Sequence, residues 1–154
     1  MNDIVFRTAS RADLPAIVAL LADDALGSRR ESAGLPLDAR YLAAFDAIEA
    51  DPNQQLVVAI DGDAVVGTLQ LSFIPGIARR GAWRGQIEAV RIAAPLRSTG
   101  IGQQLFDWAI GQCRARACHL VQLTTDKSRP DAHRFYEKLG FVASHEGYKL
   151  NLQD

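Results

Sequence analysis

The chain has 154 residues, 48% hydrophobic and 23% charged, with 12 Gly and 6 Pro, the make-up of one ordinary globular domain spanning residues 1–154. That composition excludes collagen-like, low-complexity and disordered chains, and no stretch approaches the roughly 20 apolar residues of a membrane helix. A net charge of −1 gives no reason to expect a nucleic-acid or anionic-membrane partner. Met1 to Arg7 has neither the basic start nor the apolar run of a secretory signal, so a cytoplasmic location is expected. Cys113 and Cys118, five apart, match no Cys-x-x-Cys spacing and read as reduced thiols.

Ile4 to Arg7 predicts a short strand. Ser10-x-x-Asp13 resembles a capping box, and Leu14, Ile17, Val18 and Leu21 follow at helical spacing, with Pro15 in the first turn. After a polar stretch containing Gly27 and Gly34, the spacing of Leu37, Tyr41, Phe45 and Ile48 predicts a second amphipathic helix that ends near Asp51-Pro52. Leu56 to Ile60 and Ala64 to Ile74, joined at Asp61-Gly62-Asp63, predict a β-hairpin. Gly85 to Ile92 reads as a further strand. Gly100 opens a helix to about Arg116, Leu120 to Thr124 reads as a strand, and Pro130 to Leu139 as a helix closed by Gly140. Val142 and the run from Tyr148 to Leu152 read as a closing strand pair about His145-Glu146-Gly147. The fold class is α/β, a sandwich with one strand–helix–strand crossover.

The most specific local signal is Arg97-Ser98-Thr99-Gly100-Ile101-Gly102, at the junction of a predicted strand and a predicted helix. The first N–H groups of a helix have no intrahelical partner and the helix dipole favours negative charge there, so this junction is an anion cradle. Glycine at 100 and 102 removes Cβ atoms that would hold a diphosphate off the backbone. The cradle lacks the Gly-x-x-x-x-Gly-Lys of a nucleoside triphosphatase and the first glycine of a dinucleotide fingerprint. Charge supports an anion: residues 1–63 are net −6 and residues 64–154 net +5, and Arg79, Arg80, Arg84, Arg91 and Arg97 face a single acid, Glu88, between positions 79 and 97.

Two motifs resemble the GNAT superfamily of acetyl-CoA-dependent N-acetyltransferases. Val90-Arg91-Ile92 followed by Arg97-x-x-Gly100-x-Gly102 is similar to its acetyl-CoA-binding strand and pyrophosphate loop, and Ala132-His133-Arg134-Phe135-Tyr136-Glu137-Lys138-Leu139-Gly140-Phe141 to its C-terminal helix signature. The resemblance implies a mixed, mostly antiparallel sheet of about seven strands with four helices. It implies acetyl-CoA as cosubstrate and a primary amine as acceptor. It assigns cofactor binding to Val90, Arg91, Ile92, Arg97, Ser98, Thr99, Gly100, Ile101, Gly102, Arg129 and His133. The backbone of Val90 to Ile92 would pair with the pantetheine arm, and the N–H groups of Ser98 to Gly102 would hold the pyrophosphate. Many family members carry Asn where this chain has Arg129, which departs from the usual pantetheine contact.

Acetyl transfer from a thioester to an amine needs a neutral amine, a donor to the carbonyl oxygen and a proton for the departing thiolate. Glu88 is the only carboxylate between Asp63 and Asp107 and lies on the central predicted strand. Strand alternation puts it on the face of Gln86 and Val90 unless a bulge intervenes, and within a mostly apolar strand it would be a desolvated acid suited to a direct or water-mediated base. A structural ion pair with Arg84 or Arg91 is the competing role. The resemblance places Tyr136 as the acid to the CoA thiolate and a backbone N–H at or beside Ile92 as the carbonyl donor.

His119, His133 and His145 have no partners at ligand spacing, so no metal is expected. No Gly-x-Ser-x-Gly elbow is present, which favours direct transfer in a ternary complex. Tyr41, Phe45 and Trp83 are candidates for an acceptor pocket or for core, and the acidic N-terminal third suits a cationic amine. The rival reading is a non-catalytic acyl-CoA-binding or interaction module. An exposed sheet edge would suit a homodimer.

Overall fold

The computed structural model describes residues 3–153. They fall into two compact units, divided between Gln122 and Leu123.

The first unit holds one sheet. β1 (Ile4–Thr8), β2 (Gln54–Asp61), β3 (Ala64–Ile74) and β4 (Arg84–Ile92) run antiparallel in chain order, and β5 (Leu120–Gln122) lies parallel to β4. The parallel step is the predicted crossover, made by α5 (Ile101–Ala115). α1 (Leu14–Ala22) and α3 (Ala39–Ala50) lie between β1 and β2. Two single turns that sequence periodicity does not register, α2 (Gly27–Arg30) and α4 (Ala78–Gly81), bring the described helices to six with α6 (Pro130–Lys138) of the second unit.

The core forms where the sheet meets α1, α3 and α5. Leu69, Leu71 and Phe73 of β3, Val57 and Val58 of β2 and Ile87 of β4 are buried, as are Leu105, Phe106, Ala109 and Cys113 of α5. Their spacing along α5 is helical, and stacking that stripe on the sheet removes apolar surface from water, about 25 cal/mol per Å². Phe45 joins Ala9, Leu14, Ile17 and Val58 in a cluster, so its place is in the core and not in a pocket. Burial pushes the Cys113 thiol up to about 11, which keeps it protonated.

The capping box at Ser10 is present. Asp13 accepts from the Ser10 N–H at 2.7 Å and from the Arg7 guanidinium at 2.7 and 3.1 Å. The Arg7 contact, more than the capping N–H, holds the Asp13 carboxyl below the usual carboxylate range.

The second unit contains α6 and the chain after it. The described residues give five strands where seven were expected, because Val142 and the run from Tyr148 to Leu152 pair with no strand of the described chain. A strand needs a neighbour to take its N–H and C=O groups. These residues have the alternating pattern without the neighbour.

Candidate functional site

β4 is the central element, and it is not regular. Gln70 pairs with Glu88 and Thr68 with Arg91, so Leu69 alone stands opposite both Ala89 and Val90. The extra residue is a β-bulge, with Ala89 at φ 55. It shifts the alternation by one: Glu88 shares a face with Arg91, not with Val90 as unbroken alternation requires. Glu88 is also exposed, in place of the desolvated carboxylate expected from its apolar neighbours.

The bulge lies where β4 loses its neighbour. β5 pairs with β4 only at Arg84, Gly85 and Gln86, and among the described residues no strand pairs with that edge of β4 from Ile87 to Ile92. Two acceptors of this stretch are already used. Arg91 Nη1 donates to the Val90 carbonyl at 2.8 Å and Arg97 Nε to the Ile92 carbonyl at 3.2 Å.

The chain then passes through a short turn, Ala94–Leu96, into the loop before α5. Ser98 has φ 64, and Gly100, the N-cap of α5, has φ 94. Left-handed residues at 98 and 100 splay the intervening backbone outward, the arrangement in which successive N–H groups form an anion-binding concavity. Among the described residues no carbonyl accepts from the N–H groups of Ser98, Thr99, Gly100, Ile101 or Gly102, and the first α5 bond runs from the Gln104 N–H to the Gly100 carbonyl at 3.1 Å. Thr99 Oγ1 is turned back onto the Leu96 carbonyl. A Cβ on Gly100 would meet nothing within 4 Å, so glycine here satisfies the backbone angle and leaves open space beside the N–H groups.

Those free donors, the positive end of a 15-residue helix and the adjoining room fit a diphosphate, and the unpaired β4 edge fits an extended amide-bearing chain. The features the resemblance assigns to acetyl-CoA are compatible with it: the backbone of Val90, Arg91 and Ile92 lies on the unpaired stretch of β4, and the N–H groups of Ser98 to Gly102 are without a carbonyl partner among the described residues.

The arginines behave differently from a simple cationic field. Arg91 Nε lies 3.2 Å from Asp24 Oδ2, with side chains 12% and 22% exposed, so its charge is balanced. Arg97, itself exposed, reaches the Asp23 carbonyl at 3.4 Å as well as Ile92. Together they clamp Asp23 and Asp24, just past α1, to the end of β4. Asp24 is the residue that sequence reasoning missed, since an ion pair across 67 positions leaves no mark in local spacing. Its other oxygen accepts from the Gly27 N–H.

Gly27 completes this corner: a Cβ there would fall 1.8 Å from the Leu21 carbonyl oxygen, a backbone atom that cannot move alone. We expect Gly27→Ala to destabilise the protein by about 1–3 kcal/mol, the usual cost of overpacking. Equilibrium urea unfolding measures this, and a midpoint equal to that of the parent would contradict the packing described.

Two hollows border the α1–α3 region. One of about 500 Å³ is lined chiefly by Ala16, Ala19, Leu20, Asp23, Ala33 and Val65. The other, about 310 Å³, is lined by Arg30, Glu31, Ser32, Asp38, Arg40 and Tyr41. Tyr41 Oη accepts from the Ser32 N–H and donates to Glu31 Oε2, both at 2.9 Å. Burial, and then Glu31, raises the Tyr41 phenol above its ordinary value. Trp83 is 37% exposed, and its carbonyl accepts from the His119 N–H at 2.7 Å at the head of β5.

In the second unit, Asp126 organises the approach to α6. Its Oδ1 accepts from the Ser128 N–H and hydroxyl at 2.8 and 2.6 Å, and its carbonyl lies 3.2 Å from His133 Nε2. His133 thus anchors its own loop. Arg129 is exposed, occupies the N-cap position, and its carbonyl accepts from the Ala132 and His133 N–H groups at 3.1 and 3.3 Å. Tyr136 is half-buried, its ring edge-on to Phe135 and Phe141 at centroid distances of 5.6 and 6.2 Å. That packing limits the motion of the ring.

Among the described residues no three His, Cys, Asp or Glu side chains gather as a metal site requires, and no helix is long and apolar enough to cross a membrane. Of the predicted site residues, Glu88, Val90, Arg91, Ile92 and Arg97 to Gly102 lie along one continuous limb from β4 to α5, while Arg129, His133 and Tyr136 lie on or beside α6.

Comparison with known proteins identifies the family. The family model for the Acetyltransferase (GNAT) family matches residues 17–141. The chain is 35% identical over 101 residues to an aminoalkylphosphonate N-acetyltransferase of Salmonella typhimurium, covering 66% of this chain and 65% of that protein. It is 35% identical over 89 residues to a glucosamine 6-phosphate N-acetyltransferase of Trypanosoma brucei brucei, covering 57% and 58%. The chain thus spans less than two thirds of the length of these curated relatives. A crystal structure described as a transcriptional regulator from Bacillus halodurans C-125 is 49% identical, with a TM-score of 0.95 over 97% of this chain and 100% of that one. A match over most of the chain, coinciding with the open β4 edge and the α5 cradle, places the protein by sequence and geometry alike: it belongs to the GNAT family of acetyltransferases.

Proposed function

We propose that the protein is an N-acetyltransferase that moves an acetyl group from acetyl-CoA to a primary amine by direct attack, with both substrates bound together. The observation that carries this reading is the continuity of the unpaired β4 edge with an α5 N-terminus whose free N–H groups open to space at Gly100. When bound, acetyl-CoA supplies an activated thioester carbonyl.

The chain's own residues have separate tasks. Val90 to Ile92 hold the extended arm of the cosubstrate as an added strand would be held, and Ser98 to Gly102 hold its pyrophosphate. Arg91 and Arg97 act mainly by fixing Asp23 and Asp24 against the end of β4, which sets the shape of that end of the site. Glu88 is the base. Being exposed, it is suited to drawing the amine proton through an intervening water. Tyr136 Oη is the proton donor to the thiolate, with Phe135 and Phe141 limiting the ring's motion. A backbone N–H at or beside Ile92 serves the carbonyl oxygen.

The acceptor enters from the α1–α3 side, where both hollows lie. The two curated relatives act on an amine that carries phosphonate or phosphate, so 2-aminoethylphosphonate and glucosamine 6-phosphate head the panel of amines to test. The experiment is thiol release from acetyl-CoA with those amines, spermidine, amino acids and a lysine peptide. Amine-dependent release supports an enzyme. Tight acetyl-CoA binding with no release from any amine would favour the acyl-CoA-binding module.

A further inference from the structure

One face of the sheet in the first unit changes character part-way along its strands. Residues directly opposite one another on adjacent strands share a face, so Val58 and Thr68, then Leu56, Gln70 and Glu88, then Gln54, Ser72, Gln86 and Gln122 form successive rows on the side where α1 and α3 lie. At Val58 and Leu56 the face is core: Val58 is buried with Leu14, Ile17 and Phe45, and Leu56 packs against them. Beyond Leu56 it is polar and, Glu88 apart, uncharged. Glutamine is not among the β-branched and aromatic residues that strands favour, yet one stands here on each of β2, β3, β4 and β5.

The glutamines hold one another in place. Gln54 Oε1 accepts from Gln70 Nε2 and from the hydroxyl of the buried Ser72, both at 3.0 Å, and Gln86 Oε1 accepts from Gln122 Nε2 at 2.9 Å. Each of these bonds leaves the other end of an amide unused. Among the described residues no side chain engages Gln70 Oε1 or Gln86 Nε2. These two side chains are the neighbours of Glu88 on this face. Gln70 stands directly across from it on β3, where opposed Cβ atoms lie about 5 Å apart. Gln86 is two residues back along β4, roughly 7 Å of strand.

We propose that Gln70 and Gln86 bind hydroxyl groups of the acceptor, which is a hydroxylated amine of the amino-sugar class; this rests on Glu88 being the base to the amine. A hydroxyl both donates and accepts, so adjacent hydroxyls satisfy the Gln70 oxygen and the Gln86 NH2 together. The two glutamines lie on different strands, which gives an area as wide as it is long and suits a compact ring over an extended peptide. A phosphonate two carbons from the amine meets no unpaired cation beside Glu88 on these strands: Arg91 is paired with Asp24, and Arg84 is four residues from Glu88, about 13 Å of strand.

The test compares amines in the thiol-release assay: glucosamine against cyclohexylamine, a ring of the same size without hydroxyls, with 2-aminoethylphosphonate, spermidine and a lysine peptide alongside. The expected kcat/KM for glucosamine is at least about tenfold above that of each other amine, because a site built to hydrogen-bond a hydroxyl rejects an analogue that lacks it. Gln70→Leu and Gln86→Leu should each raise KM for glucosamine at least about fivefold, with kcat and the KM for acetyl-CoA within about twofold of the parent, the pattern of lost substrate binding. If a variant fails to fold, the ranking of amines by the parent still decides. Cyclohexylamine, the phosphonate, spermidine or the peptide used as well as glucosamine overturns the proposal and leaves acetyl transfer standing, and so does an unchanged KM in both leucine variants. Release from no amine removes the acetyl-transfer reading instead. Saturation-transfer NMR of glucosamine with the CoA complex then decides the site: binding that is lost in Gln86→Leu supports it, and no binding to the parent overturns it.

Discussion

Gly100→Val should lower affinity for acetyl-CoA by at least about tenfold while leaving the fold in place. The backbone at Gly100 has φ 94, where a β-branched residue costs roughly 1–2 kcal/mol of strain, so the loop either distorts or rotates out of the left-handed region. Rotation displaces the N–H groups around residue 100, and with the backbone kept the added side chain enters the open space beside Gly100. No atom lies within 4 Å of that Cβ position, so the added Cβ itself meets nothing, and α5 should keep its contacts with β4. Thr99→Ala is the control. Its hydroxyl faces the Leu96 carbonyl and not the open side, so affinity should change by no more than about threefold. Titration calorimetry distinguishes the two, and parent-like binding by Gly100→Val would remove the cradle from the account.

Glu88→Gln and Tyr136→Phe should each reduce kcat by at least about tenfold with acetyl-CoA affinity retained, the pattern of lost acid–base help. The two substitutions read different protons. Glu88→Gln removes the group assigned to the amine proton, and Tyr136→Phe the group assigned to the thiolate proton. Glu88 is exposed and Tyr136 packs on Phe135 and Phe141, so neither isosteric change should unfold the chain. Steady-state rates with a responding amine test this. Unchanged turnover in both variants would strike Glu88 and Tyr136 from their roles while leaving family membership intact.

Local features were legible from the residues, and long-range ones were not. The α5 cradle depends on three consecutive signals, the end of a strand, glycine at 100 and a helical apolar stripe from Ile101, all within one stretch of chain. The β2–β3 hairpin and α3 were similarly readable from their periods. The bulge at Ala89 was foreseen only as an exception to alternation, because alanine is not a residue whose presence announces a left-handed backbone angle. That one residue moves Glu88 to the face of Arg91.

The same distinction explains the arginines and the C-terminus. A count of cations around Glu88 favours an anion, but it could not reveal that Arg91 answers Asp24 or that Arg97 is engaged by the Asp23 carbonyl. Phe45 has the spacing of a buried helix face, which favours core but leaves a pocket open until Val58 and Ile17 are placed against it. From Tyr148 to Leu152 the strand alternation is plain, yet a strand is defined by its neighbour, and among the described residues no strand pairs with it.

The measurement that addresses the central claim most directly is calorimetric titration of the protein with acetyl-CoA, with CoA, ATP and NAD as comparators in the same buffer. The open β4 edge and the α5 N–H ladder predict micromolar binding of acetyl-CoA, retained in part by CoA and absent for ATP and NAD. No binding of acetyl-CoA would mean that the turn at Gly100 is a packing feature, and equal binding of ATP and NAD that it is a general phosphate site; either result would contradict the acetyl-transfer reading.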